Sequence, residues 1–191
     1  MRKRTGLTAA VVLVGALAVL TIGSYATADS GKKKVTAETL IGYQETPSVS
    51  TVASGNFEAE IDDVANTIEY ELSYSGLEGD VRQAHIHFGQ RGITGGISVW
   101  LCQTTFNVPT SGPSAPNCPQ STQSGPVTGT FGPSSVIGPT GQGLGEGIAL
   151  GEFDQLVAAL RAGRAYANVH SVKFPPGEIR GQINDDNQKD D

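Results

Sequence analysis

Two neighbouring segments of the chain alternate apolar and polar side chains with a period of two. In residues 55–62 every second residue is glycine or apolar and the others are polar, and residues 68–75 repeat the pattern. Because a strand places successive side chains on opposite faces, each segment predicts a β-strand with one buried face. The residues between them, Asp-Asp-Val-Ala-Asn at 62–66, have the composition of a turn. The two strands are therefore predicted to form a hairpin.

Short strands separated by turn residues account for most of the remaining chain. One helix is predicted at residues 152–162, where apolar residues recur at i, i+3, i+4 and i+7 and Gly163 follows as a stop. Mostly short strands with one small helix favour an all-β fold, an antiparallel Greek-key sandwich or barrel. A single domain is predicted over residues 29–184. Further strands are predicted at 83–88, 97–102, 165–170 and 179–183.

A long segment rich in proline, glycine, serine and threonine interrupts this pattern at residues 103–147. It is predicted to be a loop with one short strand at 127–131, and a loop of this length is either functional or an ornament. The two cysteines of the chain, Cys102 and Cys118, lie near its start. A disulfide is predicted between them. A metal–thiolate site is the alternative, which the absence of Cys-x-x-Cys spacing disfavours.

The ends of the chain indicate export. Residues 1–28 combine a basic start, an apolar run shorter than the roughly 20 residues of a membrane span, and a small-residue cleavage site, which predicts a signal peptide. We expect a secreted chain with no membrane span after cleavage. Residues 32–34, all lysine, and the acidic residues 185–191 are predicted to be flexible tails. The net charge of −6 and the lack of a basic stripe argue against a nucleic-acid partner.

The chain contains three histidines, His85, His87 and His170, all on predicted strands. Alternation assigns their apolar neighbours to the core, so the three side chains are predicted to project outward from the opposite face. Imidazoles at i and i+2 of one strand can hold a metal ion, and a third from a neighbouring strand would complete a set suited to copper or zinc. The sequence does not establish that the two strands are neighbours. Histidines that merely hydrogen-bond to nearby polar groups are the alternative.

Two other segments contain polar or glycine-rich patterns of the kind found at functional sites. Glu178 and Arg180 are predicted to share a strand face, either as a charged rim beside the histidines or in an ion pair or a hydrogen bond with the turn at 174–177. The glycine-rich residues 141–145 lack the preceding strand and the basic residue of a phosphate loop. The sequence has no Gly-x-Ser-x-Gly motif, and neither cysteine is expected to act as a nucleophile. No catalytic residue and no cofactor-binding residue other than the histidines are predicted.

Four blocks of the chain form a recognisable set, namely LIGYQETP at 40–47, YELSYSGL at 70–77, AHIHFG at 84–89, and residues 160–183, which contain AYANVH and GEIRGQI. In these blocks the chain resembles the CHRD-domain family, which is named after chordin and includes many bacterial secreted proteins. The resemblance implies a secreted, non-catalytic binding or structural module with an extracellular ligand or protein partner.

A fainter similarity is to copper–zinc superoxide dismutase. A Gly-Leu turn, the His-x-His strand and a later Val-His follow one another in the same order. The further histidines of a zinc site are absent from the sequence, so the resemblance implies at most one copper or zinc ion, held by His85, His87 and His170 at a surface site. This metal-binding protein is the alternative to the binding module. A third hypothesis is a cell-surface adhesion or matrix component that uses residues 103–147.

Overall fold

The computed structural model describes residues 32–37, 39–120, 126–138 and 147–185. Within these ranges the chain forms one antiparallel sheet and one α-helix, with short 3-10 turns at Gly42–Gln44 and Pro133–Ser135. The strands are β1 Lys32–Ala37, β2 Leu40–Ile41, β3 Ser54–Asp62, β4 Thr67–Ser75, β5 Val81–Phe88, β6 Ile97–Cys102, β7 Val127–Phe131, β8 Ala165–Ser171 and β9 Ile179–Asp185, and the helix is α1 Phe153–Arg161.

The sheet folds back on itself to enclose the core. Its strand order is β6-β5-β8-β9-β1-β3-β4-β7, and the short β2 pairs with both β3 and β9. Although β4 and β6 are far apart in this order, the Tyr70 hydroxyl on β4 donates a hydrogen bond to the Leu101 carbonyl on β6. The two halves of the sheet therefore face each other across buried apolar side chains. The predicted all-β antiparallel sandwich with one short helix is confirmed.

The predicted hairpin is confirmed, because β3 and β4 pair along their full length. The Asp62 carboxylate accepts hydrogen bonds from the backbone N–H groups of Val64 and Ala65. Asn66 completes the turn with a positive φ of 56°, a conformation that asparagine tolerates better than most residues. Local turn chemistry thus fixes the register that turns the apolar face of both strands inward.

The helix packs on β8 and β9 through the apolar residues that its periodicity predicts. It ends in a Schellman motif at Gly163, which has a φ of 62°. The Gly163 N–H donates to the Leu160 carbonyl, and the Arg164 N–H donates to the Ala159 carbonyl. The helix and its glycine stop are confirmed. Its buried residues are Phe153, Leu156, Val157, Ala159 and Leu160.

The prediction that residues 32–34 form a flexible tail is wrong. They belong to β1, which pairs with β3 on one side and β9 on the other. Three lysines carry no apolar signal, yet Lys32 forms an ion pair with Glu60 and Lys34 with Glu58. Asp185, predicted to begin the acidic tail, is the last residue of β9. The predicted signal peptide and residues 186–191 lie outside the described residues.

The described parts of the segment at 103–147 are residues 103–120, 126–138 and 147. The predicted disulfide between Cys102 and Cys118 is confirmed and joins this segment to the end of β6. The predicted strand at 127–131 is also confirmed, and it pairs with β4. Val127, Phe131 and Val136 are buried in the core cluster. The described part of this segment therefore contributes to packing.

Candidate metal centre

The structure brings the three histidines together. β5 and β8 are neighbours, and their register pairs His85 with Asn168 and Gln83 with His170. One potential ligand atom from each imidazole ring lies within 4.8 Å of those of the other two. The sequence identified the three residues but left the adjacency of their strands open, and the pairing of β5 with β8 supplies it.

The prediction that these side chains reach the surface is wrong. They do lie opposite the core residues Ala84 and Ile86, as strand alternation requires. However, His85 and His87 are 0% exposed and His170 is 4% exposed. They are covered by the loop at 89–96, by the turn at 174–177 and by the Trp100 side chain on β6. The three histidines, predicted to form a surface site, are therefore buried on the side of the strands opposite the core. We call His85, His87 and His170 the polar layer.

The hydrogen bonds of the cluster fix the tautomers of the rings. His87 Nδ1 lies 3.0 Å from the Gly95 carbonyl oxygen, and His170 Nδ1 lies 2.9 Å from the Pro175 carbonyl oxygen. A carbonyl oxygen can only accept, so both rings carry their hydrogen on Nδ1 and have a lone pair on Nε2. His170 Nε2 is 3.1 Å from His85 Nδ1 and therefore accepts from it.

Two ring nitrogens are left buried without a partner. With its hydrogen on Nδ1, His85 has a lone pair on Nε2, as His87 does. Neither Nε2 atom has a hydrogen-bond partner among the described residues. An unsatisfied buried polar atom costs about 1–3 kcal/mol. The cluster thus contains two lone pairs that are withdrawn from water and not used within the described structure.

Two aromatic rings form walls of the cluster. The Trp100 ring meets His85 edge to face, with the ring centroids 4.3 Å apart. The Tyr166 ring stacks on His87 at 4.8 Å and is almost parallel to it. Neither residue was a candidate in the sequence, because their roles depend on pairings across strands. Tyr166 pairs with His87 and Trp100 with His85 in the sheet register.

Arg180 holds the covering loop against this wall. Its guanidinium carbon lies 3.4 Å from the centroid of the Tyr166 ring, and its side chain donates to the carbonyl oxygens of Gln90 and Ile93. The Tyr166 hydroxyl accepts a hydrogen bond from the Gly95 N–H. Gly95 carries the carbonyl that binds His87. Arg180 and Tyr166 together therefore position the group that orients His87.

A family model described as the CHRD domain matches residues 36–183, which include the whole cluster and its cover. The chain belongs to the CHRD-domain family. The resemblance that the sequence blocks indicate is thereby confirmed. No curated protein and no solved structure matches this CHRD chain, and the likeness to copper–zinc superoxide dismutase stays a prediction. Within the described ranges of the domain, no helix is long and apolar enough to cross a membrane.

The histidines of this CHRD domain are neutral at physiological pH. Burial lowers the pKa of His87 to about 3 and that of His170 to about 4. Burial also lowers the pKa of His85 far below its usual value, and the two neighbouring histidines lower it further. A neutral imidazole is the form that binds a metal ion. The rings are therefore in their ligand form.

The carboxyl groups of Glu178 and Glu45 bind partners outside the three histidines. Glu178 does not pair with Arg180. It accepts from the Thr51 hydroxyl and the Glu78 N–H, so neither the charged rim nor the contact with the turn at 174–177 is seen for this pair. Glu45 accepts from the Asn168 amide, and burial raises the pKa of Glu45 to about 7. Glu45 lies in the first block of the CHRD resemblance, which is the signal that could have identified it.

The arrangement can supply nitrogen ligands to one metal ion. Two imidazole nitrogens that share an ion at about 2.0–2.1 Å lie roughly 3.3–3.6 Å apart. The separation of 3.1 Å between His85 Nδ1 and His170 Nε2 is close to that distance. The widest separation within the set, up to 4.8 Å, would have to close by roughly 1.2–1.5 Å to reach it.

Proposed function

We propose that this protein is a non-catalytic extracellular binding or structural module of the CHRD family whose polar layer binds one copper or zinc ion through His85, His87 and His170. The observation that carries the proposal is the buried set of three imidazoles, whose ligand atoms lie within 4.8 Å of one another and in which His87 Nε2 has no partner among the described residues. Copper and zinc both accept imidazole ligands. An ion would use the lone pair of His87 Nε2, which otherwise costs stability.

The contacts around the rings support this proposal. In metal sites, a ligating histidine usually donates its other ring N–H to a carbonyl or carboxylate, which fixes the ring and its tautomer. His87 and His170 donate Nδ1–H to the carbonyls of Gly95 and Pro175 in this way. Both rings therefore present Nε2 in a fixed direction, as a ligand does.

Two coordination modes are compatible with the hydrogen bonds. In the first, the hydrogen of His85 moves from Nδ1 to Nε2, His85 binds through Nδ1, the atom that now contacts His170, and all three rings are ligands. In the second, His85 and His87 bind through their unpartnered Nε2 atoms, and His170 remains a hydrogen-bond acceptor for His85. The three-nitrogen mode is proposed, because a copper or zinc site with protein ligands normally has at least three of them.

The closed cover favours a binding or structural role over a catalytic one. A catalytic zinc site keeps an open position for water or substrate. Here His85 and His87 are inaccessible to solvent, and rings and backbone carbonyls surround them. An ion in this place would join β5 to β8 and, through Gly95, to the loop at 89–96. Its contribution would be to hold these elements together.

The proposal of an extracellular location is supported by the disulfide. Cys102 and Cys118 are bonded, and structural disulfides persist mainly in oxidising compartments such as the outside of the cell. The family to which the chain belongs is consistent with that location.

The test is a measurement of bound metal. The purified chain is stripped with a chelator, incubated with excess copper or zinc, passed through a desalting column and analysed for its elements. We expect one ion per chain, and none in His87→Leu. Ile86→Val is the matched control, because Ile86 lies between the two histidines and is buried but offers no ligand. Less than one ion per chain, in an amount that is unchanged in His87→Leu, would contradict the proposal.

A further inference from the structure

We propose that the three-histidine site selects Cu(I) over divalent ions. This inference rests on the metal site proposed above and adds the oxidation state of its ion. It follows from the number of ligands, from the closure of the site and from the charge of Arg180 beside it.

The number of ligands favours an ion that forms stable complexes with three ligands. The cluster contains His85, His87 and His170 and no cysteine or carboxylate among the described residues. The nearest other groups are aromatic rings and carbonyl oxygens that already accept from Nδ1–H groups. Zinc almost always has four ligands, the fourth being water where the protein supplies three. Cu(I) has a filled d shell and forms stable three-coordinate complexes.

The closure of the site raises the cost of a divalent ion. His85 and His87 are fully buried and His170 almost so, so an ion there exchanges its hydration shell for three neutral nitrogens. The cost of moving an ion out of water rises with the square of its charge, which makes a divalent ion about four times as costly as a monovalent one of similar size. No carboxylate within the described cluster compensates the charge.

The charge of Arg180 acts in the same direction. Its guanidinium carbon lies 3.4 Å from the centroid of the Tyr166 ring, which in turn stacks on His87 with the ring centroids 4.8 Å apart. A positive charge so close to the cluster repels a bound cation, and the repulsion is proportional to the charge of the ion. It therefore disfavours a divalent ion more than a monovalent one.

Competition titrations test the selectivity. The stripped chain is titrated under nitrogen with Cu(I), kept reduced by ascorbate, against a bathocuproine-type chelator, and separately with Zn(II) and Cu(II) against chelators of known affinity. We expect Cu(I) to bind with one ion per chain and at least about a hundredfold more tightly than Zn(II) or Cu(II). The single Trp100, in contact with His85, reports occupancy by its fluorescence.

The outcomes separate the two proposals. If no ion binds, both the metal site and its selectivity are wrong. If Zn(II) or Cu(II) binds with one ion per chain, is lost in His87→Leu and is held as tightly as Cu(I), the metal site stands and the selectivity is overturned.

Discussion

The two faces of the β5–β8 strand pair are equally buried but differently built. On one face Ala84, Ile86 and Val169 pack into the apolar core. On the other face His85, His87 and His170 form a polar layer with two unpartnered nitrogens. An apolar side chain gains free energy simply by leaving water, whereas a buried imidazole does so only when its nitrogens have partners. We therefore expect that one face stabilises the fold and that the other serves the proposed metal site.

The largest effect is expected from a substitution on the apolar face. Ile86→Ala removes buried methyl groups and leaves a cavity, which should lower the free energy of unfolding by about 2–5 kcal/mol. Urea denaturation measures the change. The folded fraction should still bind one metal ion, because the three imidazoles are retained. Loss of the ion together with preserved stability would reverse the roles assigned to the two faces.

Acid should lower the free energy of unfolding of the metal-free protein through the histidines of the polar layer. The pKa values of the histidines are lower in the folded chain than the value of 6.5 expected in the unfolded chain. Their contribution to the free energy of unfolding is therefore fully present above pH 6.5. It is lost as the pH falls towards about 4 for His170 and about 3 for His87. Glu45 acts oppositely. Its pKa is raised from 4.5 to about 7, so its stabilisation is present at low pH and lost as the pH rises through 7.

From pH 7 to pH 5 the net loss in the free energy of unfolding should be about 3 kcal/mol. Urea titrations across that range measure it. In Glu45→Gln, which removes the opposing group, the loss should be about 2 kcal/mol larger. A stability that is constant over this range would contradict the neutral, buried state of the histidines.

Tyr166→Phe tests how the cover positions a ligand. The ring that stacks on His87 is kept, and the hydroxyl that accepts from the Gly95 N–H is lost. Since Gly95 orients His87, the metal affinity should fall about tenfold, while the free energy of unfolding falls by about 1 kcal/mol. Competition titration and urea denaturation measure the two quantities. Tyr70→Phe is the control, because it loses a buried hydroxyl contact with the Leu101 carbonyl and should leave the affinity unchanged.

The smallest effect on stability is expected from His87→Leu in the metal-free chain. The substitution removes an unpartnered nitrogen and also the hydrogen bond to the Gly95 carbonyl, and these changes oppose each other. The free energy of unfolding should change by less than about 1 kcal/mol. Metal binding should be abolished. A decrease in the free energy of unfolding as large as that caused by Ile86→Ala would mean that His87 stabilises the fold as much as a core residue does.

The comparison also explains what the sequence could predict. The β3–β4 hairpin, α1 with its Gly163 stop and the Cys102–Cys118 bond were predictable, because each depends on periodicity, turn residues or chain spacing. The three histidines were identifiable as candidates from strand alternation, but their adjacency depends on the pairing of β5 with β8. Their burial was not predictable, since the cover comes from residues 89–96 and 174–177, which reach the cluster only through the tertiary fold.

Two further features depended on pairings between distant parts of the chain. The lysines of β1 give no apolar pattern, and their place in the sheet is determined by backbone pairing with β3 and β9. The sequence pattern predicts that Arg180 and Glu178 share a strand face, but β9 begins only at Ile179. The partners of Arg180 are the Tyr166 ring and the carbonyls of residues 90 and 93, which no local spacing indicates.

X-ray absorption spectroscopy of the copper-loaded chain tests the central claim most directly, because it counts the ligands of the bound ion. The account predicts one copper ion per chain with three nitrogen neighbours at about 2.0 Å and the outer-atom scattering of imidazole. The signal should be absent from His87→Leu and present in Ile86→Val. Copper surrounded by oxygen atoms, or a spectrum that is unchanged in His87→Leu, would contradict it.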